Sequence, residues 1–225
     1  MYINVNNIKI HYEVLGKGKP IILLNPNSVN TNFMKFIAKK LSNDFLVYIF
    51  DRRCCGKSQK DCELSYEESA KDVYEFIKKL NIDKPYILGS SGGGSVALNI
   101  AVNYPDSISK LVICSGVARM DVIKKPQYAK IMEKIPWYPG KKNNMMFEKL
   151  NTEAKTLSIE DLEKIKIPTL VVNGGKKDIV PRQEAEYIAS SIKNSELLIL
   201  DNEGHASYMI NCKWYQQLKD FLDNN

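Results

Sequence analysis

The chain has no long apolar run. Its uninterrupted stretches are of the scale of IILL and LVYIF, far short of the roughly 18 residues that span a bilayer, and this excludes a membrane-spanning helix. The first residues, MYINVNNIKIHYEV, alternate like a strand and lack a basic region followed by an apolar stretch, so they do not read as a secretion signal. Histidine is scarce: there are two. The five cysteines are odd in number and show no CxxC spacing. No metal-ligand set is visible, no cofactor is called for, and the cysteines read as reduced thiols of a cytoplasmic protein. Adjacent Cys54 and Cys55 read as two small, semi-buried residues. Basic residues outnumber acidic ones by 32 to 26, but they are spread along the chain without a basic stripe interleaved with aromatics. Nucleic-acid binding is therefore not expected. Repeats and low-complexity tracts are also missing.

What is present is a globular composition, 44% apolar and 26% charged over 225 residues, enough for one sizeable core. INVNN and KIHYEVLG alternate as strands and meet at Asn6-Asn7, which predicts a hairpin. IILLN, FLVYIF, PYILG, KLVICSG, PTLVVNGG and ELLILDN follow as short apolar runs, the pattern of strands covered on both faces. Helix-like periods fall between them, near 32–41, 66–80, 92–104, 182–192 and 211–222. Two leading strands and then βα repeats predict an α/β fold with a doubly wound, mostly parallel, eight-stranded sheet. One interval breaks the rhythm. Residues 118–164 hold no good strand and are rich in Met, Lys, Pro and aromatics, so they predict a small helical cap inserted between core segments 1–117 and 165–225.

The stretch PYILGSSGGGSVALNIA raises the question of function. A P-loop would need a lysine where Ser95 stands. A dinucleotide loop fits Gly92 to Ala97, but the next strand ends Cys114-Ser115-Gly116 without the acid that would bind a ribose. The remaining pattern is G-x-S-x-G, a serine on a sharp strand-to-helix turn with a helix N-terminus behind it. Such a turn needs small residues two before and two after the serine. Ser91 has glycine at both places, Ser90 has Leu88 on one side, and Ser95 falls inside the helix. Ser91 is the candidate nucleophile.

A serine hydroxyl needs a histidine to take its proton and a carboxylate to hold that histidine. His11 lies in an early alternating strand and reads as a surface residue. His205, in LLILDNEGHASY, follows the last strand, where loops at the carboxyl ends of parallel strands form the ligand crevice. Asp178, in NGGKKDIVP, sits in the same kind of loop. The order Ser91, Asp178, His205 fits this arrangement, with Asp121 as the fallback acid and Asp201 too near its strand end.

Taken together, LGSSGG, GGKKDIVP and EGHASY resemble the α/β-hydrolase superfamily over nearly the whole chain, most like its small cytosolic members with a helical cap. DRRCCGKS resembles the D-x-R-G-x-G-x-S loop of that family, with Cys54 where glycine is usual. The resemblance implies hydrolysis of an ester, thioester, amide or carbon–carbon bond through an acyl-enzyme. A serine at the elbow argues against dehalogenase or epoxide-hydrolase chemistry. It also implies two backbone oxyanion donors, the N–H of Gly92 and, in the loop after IILL, that of Asn27; the usual His-Gly-x is here Asn25-Pro26-Asn27.

The apolar residues of the cap either pack onto the core or line an acyl pocket, with Tyr128, Met132, Trp137 and Met146 as the pocket candidates. A short cap suits a small acyl substrate. Acyl transfer or perhydrolysis by the same triad, and non-catalytic ligand binding on the same fold, are the alternative functions; the oligomeric state is not assigned.

Overall fold

The computed structural model describes residues 1–122, 141–205 and 207–224. Eight strands form one sheet in the order β1-β2-β4-β3-β5-β6-β7-β8. Strands β1 (Tyr2–Val5) and β2 (Ile8–Leu15) pair antiparallel, and β2 pairs antiparallel with β4 (Phe45–Phe50). From β4 onward every pairing is parallel, through β3 (Lys19–Leu24), β5 (Tyr86–Ser90), β6 (Lys110–Cys114), β7 (Thr169–Asn173) and β8 (Ser195–Ile199). The predicted hairpin forms at Asn6 and Asn7, both with positive φ (46° and 61°), the left-handed pair that a two-residue turn requires.

Alternation along each strand sends side chains to two cores, one per face. Ile22, Leu24 and Ile87 join a cluster under α2 (Tyr66–Lys79) and α3 (Gly92–Asn103). Ile21, Leu23 and Leu88 join a second cluster with α1 (Lys35–Leu41) and Trp214. Helix α2 is well specified: the Ser65 hydroxyl accepts from the Glu68 N–H, acids occupy its first turn and Lys78 and Lys79 its last.

Within residues 118–164, the described parts are a 3₁₀ turn at Met120–Val122, helix α4 (Lys141–Glu153) and the short α5 (Ile159–Leu162), which starts on a capping box at Ser158. Phe147, Leu150, Leu157 and Leu162 pack into the α2–α3 cluster. Helix α6 (Arg182–Ser191) precedes β8. The last predicted helix, near 211–222, is α8 (Tyr215–Asp223); a further short helix, α7 (Ser207–Asn211), precedes it, and Cys212 between the two takes φ 52°. Among the described residues no helix is long and apolar enough to cross a membrane.

Chain order reverses between β3 and β5, so the loops after these two strands diverge and leave a crevice at their carboxyl ends. The Asn25-Pro26-Asn27 loop stands on one side of that crevice and Ser91 on the other.

Candidate active site

Ser91 sits alone between the end of β5 and the start of α3, at φ 52° and ψ −122°. This is a strained conformation for a residue with a Cβ, costing on the order of 1–3 kcal/mol. The turn is possible because a Cβ on Gly89 would collide with the Gly93 carbonyl, and one on Gly93 with the Leu24 carbonyl. Ser90 is fully buried and its hydroxyl has no partner among the described residues, whereas Ser91 lines a cavity.

The Ser91 Oγ lies 3.0 Å from His205 Nε2, and His205 Nδ1 lies 2.6 Å from Asp178 Oδ1. A carboxylate only accepts, so Nδ1 carries the proton and donates it to Asp178. That leaves Nε2 as the acceptor for the Ser91 hydroxyl. Asp178 is held on all sides: it also accepts from the Val180 and Gly174 N–H groups at 3.0 and 2.9 Å, and from the Ser115 hydroxyl. Burial pushes its pKa up, but the hydrogen bonds and charge interaction from His205, with those from Ser115 and Val180, outweigh it and hold it below the usual carboxylate value.

The other candidates are placed elsewhere. Asp121 and Asp201 are exposed, and neither bonds His205 among the described residues. His11 is not a surface residue: it is buried, its Nδ1 lies 2.9 Å from Asp51 Oδ2, and Tyr2 packs edge-on against its ring. Strand alternation gives the face a side chain points to, but not that another loop will cover it. Cys54 and Cys55 are fully rather than semi-buried. The Gly92 and Asn27 N–H groups make no hydrogen bond among the described residues, and the Asn27 amide lies directly over the Gly92 Cα.

A cavity of about 180 Å³ opens beside Ser91; Val117, Ile179 and Val180 line it together with Asn27, Tyr66 and Asn151. Of the four pocket candidates, Tyr128, Met132 and Trp137 lie outside the described residues. Met146 is half-buried and lines a separate groove of about 520 Å³ between α4 and the segment before α2.

Several residues around the triad escaped sequence reasoning. Ser115, at φ 48°, passes a hydrogen bond from the buried Tyr208 hydroxyl to Asp178. Tyr66 and Asn151 line the cavity, and Arg52, in the loop after β4, bonds the amide oxygen of Asn27, which also lines it. The one available signal was Ser115 at the end of β6, in the row of strand ends that also holds Ser91 and Asp178. Among the described residues no group of three His, Cys, Asp or Glu side chains is placed to hold a metal ion.

Comparison with known proteins agrees with this fold. The profile of the α/β hydrolase fold family matches residues 20–146. The serine hydrolase BPHL of Homo sapiens is 29% identical over 250 aligned positions, covering 97% of this chain and 84% of that protein. The enol-lactonase from Burkholderia xenovorans superposes with a TM-score of 0.80 at 20% identity, over 100% of both chains. A thermophilic esterase from Thermogutta terrifontis gives 0.77 at 23% identity, over 99% of this chain and 97% of that one. This chain is an enzyme of the α/β-hydrolase fold family.

Proposed function

We propose that the protein is a serine hydrolase that cleaves a small ester, thioester or amide through an acyl-enzyme formed on Ser91. The observation that carries this reading is the continuous hydrogen-bond path from Ser91 Oγ through His205 to Asp178. Ser91 Oγ attacks the substrate carbonyl carbon while its proton passes to His205 Nε2. The resulting oxyanion is held by the Gly92 and Asn27 N–H groups. As the tetrahedral intermediate collapses, the bond to the leaving group breaks and His205 returns the proton to it. A water then attacks the acyl-enzyme, giving its proton to His205; the acyl–Oγ bond breaks, His205 returns that proton to Ser91 Oγ, and the acid product leaves.

Asp178 steadies the imidazolium formed in both halves. The small cavity suits a short acyl group, and the names of the similar proteins, a serine hydrolase, an enol-lactonase and an esterase, fit ester or lactone cleavage. The five free cysteines suit a reducing, cytoplasmic setting.

Steady-state hydrolysis of p-nitrophenyl acetate tests the reading. Ser91→Ala and His205→Ala are expected to lower kcat by at least about 10³-fold. Wild-type rates in both folded variants would refute it.

A further inference from the structure

Arg52 is fully buried, yet its partners are two neutral oxygens rather than a carboxylate. Its Nε donates to the Asn25 carbonyl at 2.9 Å and its Nη2 to Asn27 Oδ1 at 2.8 Å. A guanidinium has no acceptor, so this contact fixes the Asn27 amide with its oxygen toward Arg52 and its NH₂ away. That NH₂ lies 3.3 Å from the Tyr66 hydroxyl and donates to it. Tyr66 is buried, which raises its pKa and keeps it protonated. Its own proton goes to Asn151 Oδ1 at 3.0 Å, and the Asn151 amide is thereby fixed with its oxygen toward Tyr66.

One N–H of Asn27 and both of Asn151 are left without a partner among the described residues, on side chains that line the cavity beside Ser91. Among the described lining residues there is no Asp or Glu to balance them. We propose that Arg52 sets the direction of this chain, Arg52 to Asn27 to Tyr66 to Asn151, and so leaves the wall with amide donors that select acyl groups carrying a second oxygen acceptor. The inference rests on Ser91 being the acylated residue. Arg52 is then a positioning residue that never touches substrate. The second acceptor is a keto oxygen or a carboxylate, and an ammonium group in its place meets the positive ends of these amides with no carboxylate among the described lining residues to offset them.

Four methyl esters of similar length test this, followed by methanol release: methyl 4-oxopentanoate, monomethyl succinate, methyl 4-methylpentanoate and methyl 4-(trimethylammonio)butanoate. The keto or the carboxylate ester is expected to exceed the apolar isostere by about tenfold or more in kcat/KM, and the order of those two assigns a neutral or an anionic acceptor. The ammonium ester is expected to be slowest. Asn151→Asp replaces the terminal donor by an acceptor of the same shape. It should bring the keto-to-apolar ratio to about 1 or below and raise the ammonium ester above the apolar one.

Arg52→Gln, which both donates and accepts, should also bring the ratio toward 1, while Arg52→Lys, a donor only, keeps part of it. If the Arg52 variants fail to fold, Asn151→Asp alone decides. A merely structural Arg52 would slow all four esters by one factor and leave the ratio intact, which overturns the proposal, as do wild-type rates on both the keto and the carboxylate ester no higher than on the apolar one. Fluorophosphonate labelling of Ser91 in parallel separates the failures. Labelling without preference refutes the pocket inference alone. No labelling and no ester cleavage refute the Ser91 reading and the inference with it.

Discussion

Replacing Ser115 by alanine tests how the carboxylate of the candidate triad is held. The hydroxyl passes one hydrogen bond to Asp178 and receives one from Tyr208. A hydrogen bond to a charged group contributes about 1.5–3 kcal/mol, and a buried hydroxyl left unpaired costs about 1–3 kcal/mol. Tyr208 is fully buried, so Ser115→Ala incurs both terms. Contacting groups do not add in full, and a loss of about 3 kcal/mol is expected. For a chain of this length that lowers Tm by about 6–12 °C. Catalysis should suffer less, because Asp178 keeps three of its four donors, from His205, Val180 and Gly174. A fall in kcat of less than about tenfold is expected, against about 10⁴-fold for Asp178→Asn, where the tautomer of His205 is lost. Calorimetry and ester turnover on the two variants provide the assay. A Tm change under about 2 °C would refute the network, and a kcat loss for Ser115→Ala beyond about 10³-fold would place the hydroxyl in the chemistry itself.

Other expectations follow from the same geometry. Asn27→Pro removes a backbone N–H that Asn27→Ala keeps, so the proline variant should turn over about 10²–10³-fold more slowly than the alanine one; equal rates would remove that N–H from the oxyanion site. The Asp178 carboxyl is held below its ordinary pKa, so its charge stabilises the fold above the unfolded value of about 3.9, and this is lost as pH falls from there through the folded value. The gap in urea midpoint between wild type and Asp178→Asn should therefore narrow between pH 7 and pH 3, and a gap that widens would reverse the sign. Burial, with the Cys62 thiol beside it, pushes the Cys54 thiol up to about 12. Iodoacetamide at pH 8 should thus leave Cys54 of the folded protein unmodified, and prompt alkylation mapped to Cys54 would contradict this.

Much of the frame was legible because it is encoded locally. The Asn6-Asn7 turn and the glycines flanking Ser91 are short-range signals, each with one steric meaning. Candidate triad members could be named because the strand pattern identifies which loops emerge at the carboxyl ends, and His205 was the one histidine in such a loop. What could not be read depends on contacts between distant segments. Tyr66 reaches Asn151 across 85 positions and Ser115 reaches Tyr208 across 93, and no periodicity carries that information. The swap of β3 and β4 in the sheet is of the same kind, as is the burial of His11 against Asp51. The start of the last helix is different: Cys212, left-handed though neither glycine nor asparagine, delays it to Tyr215, and the short α7 before it went unread.

The most direct test of the central claim is the intact mass of the protein after treatment with a serine-directed fluorophosphonate, alongside Ser91→Ala and His205→Ala. One adduct on the wild type and none on either folded variant is the predicted result. An unmodified wild type, or an adduct that persists in Ser91→Ala, would contradict an activated nucleophile at Ser91.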